Sequence, residues 1–101
     1  MAEPVSIQQV IEAARSLETV VAAPHQEEMR LLTKDLEEAK TTLFIRTAEA
    51  KPMVERCWRA VEALKGAGPA GTDAAENAFA DFEQAVGKLR NTILVRTQRA
   101  T

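Results

Sequence analysis

The chain has 101 residues, with 13 Lys or Arg against 15 Asp or Glu and a formal charge of −2. That is enough for one domain, and too acidic overall for sequence-independent nucleic-acid binding, which needs a net positive face. Of the 46% apolar residues eighteen are alanines, which leaves 28 larger side chains for a modest core; this composition, with four Gly, four Pro and no Tyr, points to helices and away from a β-sandwich.

A first helix is predicted at about 7–22. Ser6 and Gln9 have the spacing of a capping box, with Val5 and Val10 placed as a hydrophobic staple. Ile7, Val10, Ile11, Ala14, Leu17, Val20 and Val21 then recur at helical spacing until Pro24. The second helix is predicted from Pro24 or His25 to about residue 50. Its seam steps by three and four through Met29, Leu32, Leu36, Ala39 and Leu43 to Arg46 and Ala50. Pro52 leaves two readings open. An internal proline costs about 3 kcal/mol, which favours a tight turn at Lys51 and a four-helix bundle. The seam nevertheless continues in phase through Val54, Cys57, Val61 and Leu64, which would allow a three-helix bundle with a central helix kinked at Pro52. Residues 66–73 form the one clear loop; Asp73 with Glu76 reads as a second capping box, Asp73 being the N-cap. The last helix carries Phe79, Phe82, Val86, Leu89 and Ile93 on one seam, then Arg96 and Ala100.

The fold expected is therefore all-α, a single antiparallel four-helix bundle over residues 1–101. The long helices echo each other at an offset of 50 residues. Thr42-Leu43-Phe44-Ile45-Arg46-Thr47 matches Thr92-Ile93-Leu94-Val95-Arg96-Thr97. This reads as a duplicated short-long hairpin, with repeats at 4–50 and 52–100 and pseudo-two-fold symmetry. The β-branched residues of the echoed string also leave a pair of short strands as a rival reading.

Little in the chain supports chemistry. One His and one Cys, 32 residues apart, make no zinc site, and the Glu-x-x-His pairs of a di-iron bundle are missing, so no metal or cofactor is expected. Gly66, Gly68 and Gly71 follow no strand and precede no Lys-Ser or Lys-Thr, unlike a phosphate loop. His25 reads as an exposed loop histidine, Cys57 as a small buried hydrophobe and Trp58 as packing. No nucleophile–base pair can be argued from spacing, so no enzyme is expected. Met1–Gln9 holds no basic region followed by an apolar run, and no window approaches 18 apolar residues, so a soluble cytoplasmic protein without membrane contact is expected.

Charge is unevenly spread. Residues 84–101 contain Lys88, Arg90, Arg96 and Arg99 and no acid, while residues 1–83 have a net charge of −6. Cations near a helix C-terminus complement its dipole. Arg46 and Arg96 occupy seam positions where an apolar side chain is expected, so each must reach solvent or a carboxylate. Beside them, three consecutive apolar residues span about 200° of helix surface, more than one seam can cover. Two functions follow as expectations. The first is a non-catalytic protein–protein interaction module: adaptor, scaffold or chaperone-like subunit. It would pair with another protein or with a second copy as a homodimer, through Phe44, Ile45, Arg46, Leu94, Val95 and Arg96. The second is a regulatory bundle holding a small anion between Arg46 and Arg96.

Overall fold

The computed structural model describes residues 5–100, and their side chains through residue 96. Four helices form: α1 (Ile7–Leu17), α2 (Ala23–Lys40), α3 (Ala50–Lys65) and α4 (Asp73–Ala100), with a 3-10 turn at Phe44–Arg46 between α2 and α3. The expected all-α bundle is present. Among the described residues there is no strand, so residues 42–47 do not pair as one.

Each helix buries the stripe that its spacing marks out. In α1 the Ser6 capping box is complete: Gln9 N–H donates to the Ser6 hydroxyl and Ser6 N–H to the Gln9 side chain. Ile7, Val10, Ile11, Ala14 and Leu17 face inward. Met29, Leu32, Leu36 and Ala39 of α2 meet Phe79, Phe82, Val86, Leu89 and Ile93 of α4 and Val54, Cys57, Val61 and Leu64 of α3 in one core. The only buried polar residue among those described, Thr33, turns its hydroxyl back to the Met29 carbonyl at 2.9 Å, so its burial leaves no unmet donor.

The boundaries differ from the sequence reading in three places. First, α1 ends at Leu17 rather than near 22, and residues 18–22 turn the chain into α2, where Pro24 sits in the first turn. Second, α2 stops at Lys40, ten residues early. Thr41 and Thr42 both bend their hydroxyls to carbonyls three residues back, on Glu38 and Ala39, at 2.7 Å each. These bonds satisfy the last carbonyls of α2 and compete with helix continuation. The break therefore lies at 41–49 and not at Lys51, and Pro52 becomes the third residue of α3. There its missing N–H has no intrahelical partner to lose. The kinked three-helix alternative is excluded. Third, α4 is capped by Thr72, whose hydroxyl accepts from Ala75 N–H at 3.2 Å; Asp73 is already helical.

The helices form a ring in the order α1, α2, α4, α3, with α1 opposite α4 and α2 opposite α3. The C-terminal ends of α1 and α3, at Leu17 and Leu64, line one crevice together with the N-terminal residues His25 of α2 and Glu76 of α4. So α1 and α3 run the same way side by side, as do α2 and α4. In this ring a two-fold along the bundle would exchange opposite helices, α1 with α4 and α2 with α3, and one across it would reverse helix direction, so neither maps α1 on α3 and α2 on α4. The expected pseudo-symmetry is therefore absent, and the two hairpins stack like on like, as successive units do in helical arrays. The echoed strings also differ in structure: 42–47 is a turn, whereas 92–97 lies inside α4. Thr92 bonds four residues back, to the Lys88 carbonyl at 2.8 Å, which a helix tolerates, and no proline follows it.

Candidate functional site

The stacked arrangement gives the bundle two unlike ends. At one, the turns 18–22 and 66–72 meet. At the other, the connection 41–49 crosses the ring diagonally, while α4 continues past the first turn of α3. Pro52, Met53 and Arg56 of α3 already stand opposite Ala85 and Lys88, which leaves about three further turns of α4 beyond. All six expected contact residues lie at this second end.

Their exposure separates them. Phe44 and Ile45 are half-buried, because the 3-10 turn folds them back onto the core. Much of their apolar surface is thus used internally. Leu43, by contrast, is 80% exposed, and Leu94 and Val95 are each 48% exposed. Leu94 lines a groove with Asp35, Ala39 and Thr42 of the α2 end. Val95 lines a second groove with Glu49, Lys88 and Arg96. Leu43 was read as a seam residue from the sequence; its exposure follows from the early end of α2, which takes it off the seam.

The two arginines part company as well. Arg96 donates from one guanidinium nitrogen to both carboxylate oxygens of Glu49, at 2.6 Å to Oε1. The bond to Glu49 holds the Arg96 guanidinium above its ordinary pKa, with the carboxylate's charge adding to the effect. Arg46 is exposed on the 3-10 turn and does not line the groove that contains Arg96. Nothing brings the two guanidinium groups into one cavity.

At the first end His25 takes a role the sequence did not reveal. It lies inside α2, paired through Nε2 with Glu76 of α4, and its ring stacks on Phe79 with centroids 4.4 Å apart and planes at 18°. It is a strut between two helix N-termini, not a loop residue. Along the same α2–α4 seam, Glu28 meets Glu83. Burial first, then the Glu83 charge and a shared hydrogen bond, then Asp35, raise the Glu28 carboxyl above its usual pKa. A raised folded-state pKa favours folding most at acid pH, and that advantage is lost as pH rises through the raised value. At neutral pH the pair therefore opposes folding. Glu83→Gln should raise the thermal midpoint by about 1–3 °C at pH 7 and by nothing near pH 3.5, as measured by circular dichroism. A gain that is the same at both pH values would contradict the assignment.

Among the described residues no three His, Cys, Asp or Glu side chains are grouped so as to hold a metal ion, and no helix is long and apolar enough to cross a membrane. No protein-family model, curated protein or solved structure matches the chain.

Proposed function

We propose that this chain is a non-catalytic helical interaction module, an adaptor, scaffold or chaperone-like subunit, that associates with another protein or with further copies of itself. One observation carries the reading. Among the described residues five large aliphatic side chains stand in solvent, and three of them, Leu43, Leu94 and Val95, surround a single connection, whereas Leu31 on α2 and Val20 at the other end stand apart. Apolar surface gathered at one place and rimmed by arginine has the composition of an interface, whereas scattered exposed leucines would not. Arg46 and Arg96 flank it, and the Glu49 carboxylate fixes the second of them in place. Phe44 and Ile45 serve this surface mainly as its floor. A cytoplasmic setting is compatible with a single, buried cysteine.

The alternative, an anion held between Arg46 and Arg96, has less support. Arg96 already carries a carboxylate from its own chain, and an incoming anion would have to displace Glu49.

The test is mass against concentration by light scattering after size exclusion, from about 10 µM to about 1 mM, the range in which small interfaces assemble. The wild type should exceed the monomer mass at the upper end, and Leu94→Glu/Val95→Glu should remain monomeric with an unchanged helix content. A wild type that is monomeric throughout, and that recovers no partner protein in a cross-linking pull-down, would overturn the proposal.

A further inference from the structure

The two ends of the bundle are opposite in charge. Around the exposed aliphatics, residues 40–51 and 88–96 hold six cations, Lys40, Arg46, Lys51, Lys88, Arg90 and Arg96, against Glu49, and Asp35 and Glu38 of α2 also line the Leu94 groove, so cations outnumber carboxylates two to one. At the far end, residues 18–28 and 62–76 hold six carboxylates, among them Glu18, Glu62, Asp73 and Glu76, against the single cation Lys65. The arrangement has a local cause. Both α2 and α4 start at the acidic end and finish at the basic one; Asp73 and Glu76 stand in the first turn of α4 and Lys40 in the last turn of α2, where the helix dipole favours each charge. Because α2 and α4 are neighbours that run the same way, their separate preferences add, and the whole molecule becomes polar along its length.

The acidic end also has an apolar opening. Leu17, Val20, Val21, Leu64 and Phe79 line a crevice of about 20 Å³, room for about one methyl group. Val20, on its lip, is 61% exposed. The basic end offers the counterpart: Leu43, 80% exposed at the start of the 3-10 turn, projects as a single aliphatic knob. Charge is thus complementary between opposite ends of the same molecule, and each end sets an exposed aliphatic side chain, Leu43 or Val20, among those charges. Like ends are not complementary, since each would present its excess of cations to the other.

We infer that copies of this chain associate head to tail, the Leu43 knob and surrounding cations of one copy seating on the Val20 crevice and surrounding carboxylates of the next. The inference rests on the self-associating reading of the proposed function and adds its geometry. A contact between two different surfaces of the same molecule does not close on itself in a pair, as a two-fold dimer does; each addition leaves one end of either kind free. The assembly is open-ended and loosens with added salt, because the facing charges are exposed. A symmetric homodimer through the basic end is thereby disfavoured.

Complementation between two surface variants tests it. Leu43→Asp removes the knob and Val20→Asp spoils the crevice; both positions are solvent-exposed, and circular dichroism checks that each variant keeps the wild-type helix content. In sedimentation velocity the wild type should form species whose mean mass rises with concentration without a plateau at two copies. Each variant alone should be monomeric. A one-to-one mixture should give a dimer and nothing larger, since it offers only one intact knob and one intact crevice per pair. Wild-type association retained by Val20→Asp, or a mixture that stays monomeric, overturns the head-to-tail geometry and leaves the interaction-module reading standing. A wild type that does not self-associate at all overturns the geometry too, and the module then stands only if a different protein partner is recovered.

Discussion

Replacing Phe82 with alanine should lower the midpoint of thermal unfolding by about 15–30 °C, the largest effect of any single truncation in the chain. Phe82 is the largest of the fully buried side chains, at 0% exposure, and lies in the middle of the α4 seam against α2 and α3. Removing a buried phenyl ring costs about 3–5 kcal/mol, part for the lost burial and part for the cavity left behind. Domains of this size hold about 5–15 kcal/mol in all, and one with only 28 apolar residues larger than alanine belongs near the low end. The variant should therefore be largely unfolded at moderately raised temperature. Phe44→Ala supplies the comparison. That ring is half-buried on the 3-10 turn, and its loss should cost well under half as much. Equal losses for the two rings would mean that the core is not centred on α4 as described.

Cys57 should react with a thiol probe at pH 8 at least about a thousandfold more slowly in the folded chain than in denaturant. The thiol is fully buried on α3, and burial pushes its pKa up to about 12, Arg56 and the helix backbone opposing only weakly. Its thiolate fraction falls by about three powers of ten relative to an ordinary cysteine, before access is considered. Modification must then proceed through opening of the bundle, so the rate reports stability directly. The two predictions are linked: Phe82→Ala should restore much of the lost reactivity although it does not touch the thiol's chemistry. A fast reaction in the stable wild type would show that the α3 seam is open to solvent.

Most of this core is written in the sequence, because a helix that packs on one side must repeat apolar residues every three or four positions, and α2, α3 and α4 do so without a gap. The break between α2 and α3 is not. The apolar seam runs on through Leu43, and what stops the helix is a pair of hydroxyls, Thr41 and Thr42, that find carbonyls three residues back. Threonine stands inside helices as well, as Thr92 does, so its presence alone did not mark an end. Pro52 signalled that a boundary was near but could not place it, since proline is equally at ease in a turn or in the first turn of a helix. The contact residues follow the same pattern. Leu94, Val95 and Arg96 were identified from an overfull apolar triplet on a helix that does exist; Phe44 and Ile45 were chosen as helical and fold inward on a turn, and Leu43 took their place in solvent. Pairs such as Arg96 with Glu49 and His25 with Glu76 join residues 47 and 51 apart, and only the order of helices around the ring brings them together.

That ring order also fixes where anything attached to the chain must sit. Lys40 reaches Gln8, so the start of α1 lies beside the end of α2, and α4 runs out past the same place. Both ends of the folded region thus emerge on the face that carries Leu43, Leu94 and Val95, while the opposite face is spanned only by the turns 18–22 and 66–72. Sequence joined to either end, a further domain or a purification tag alike, leaves the folded region at the basic face. A reporter meant to leave the basic face clear belongs in the glycine-bearing turn between α3 and α4, beyond Ala67, which packs on the core; there Gly68 and Gly71 hold the left-handed backbone.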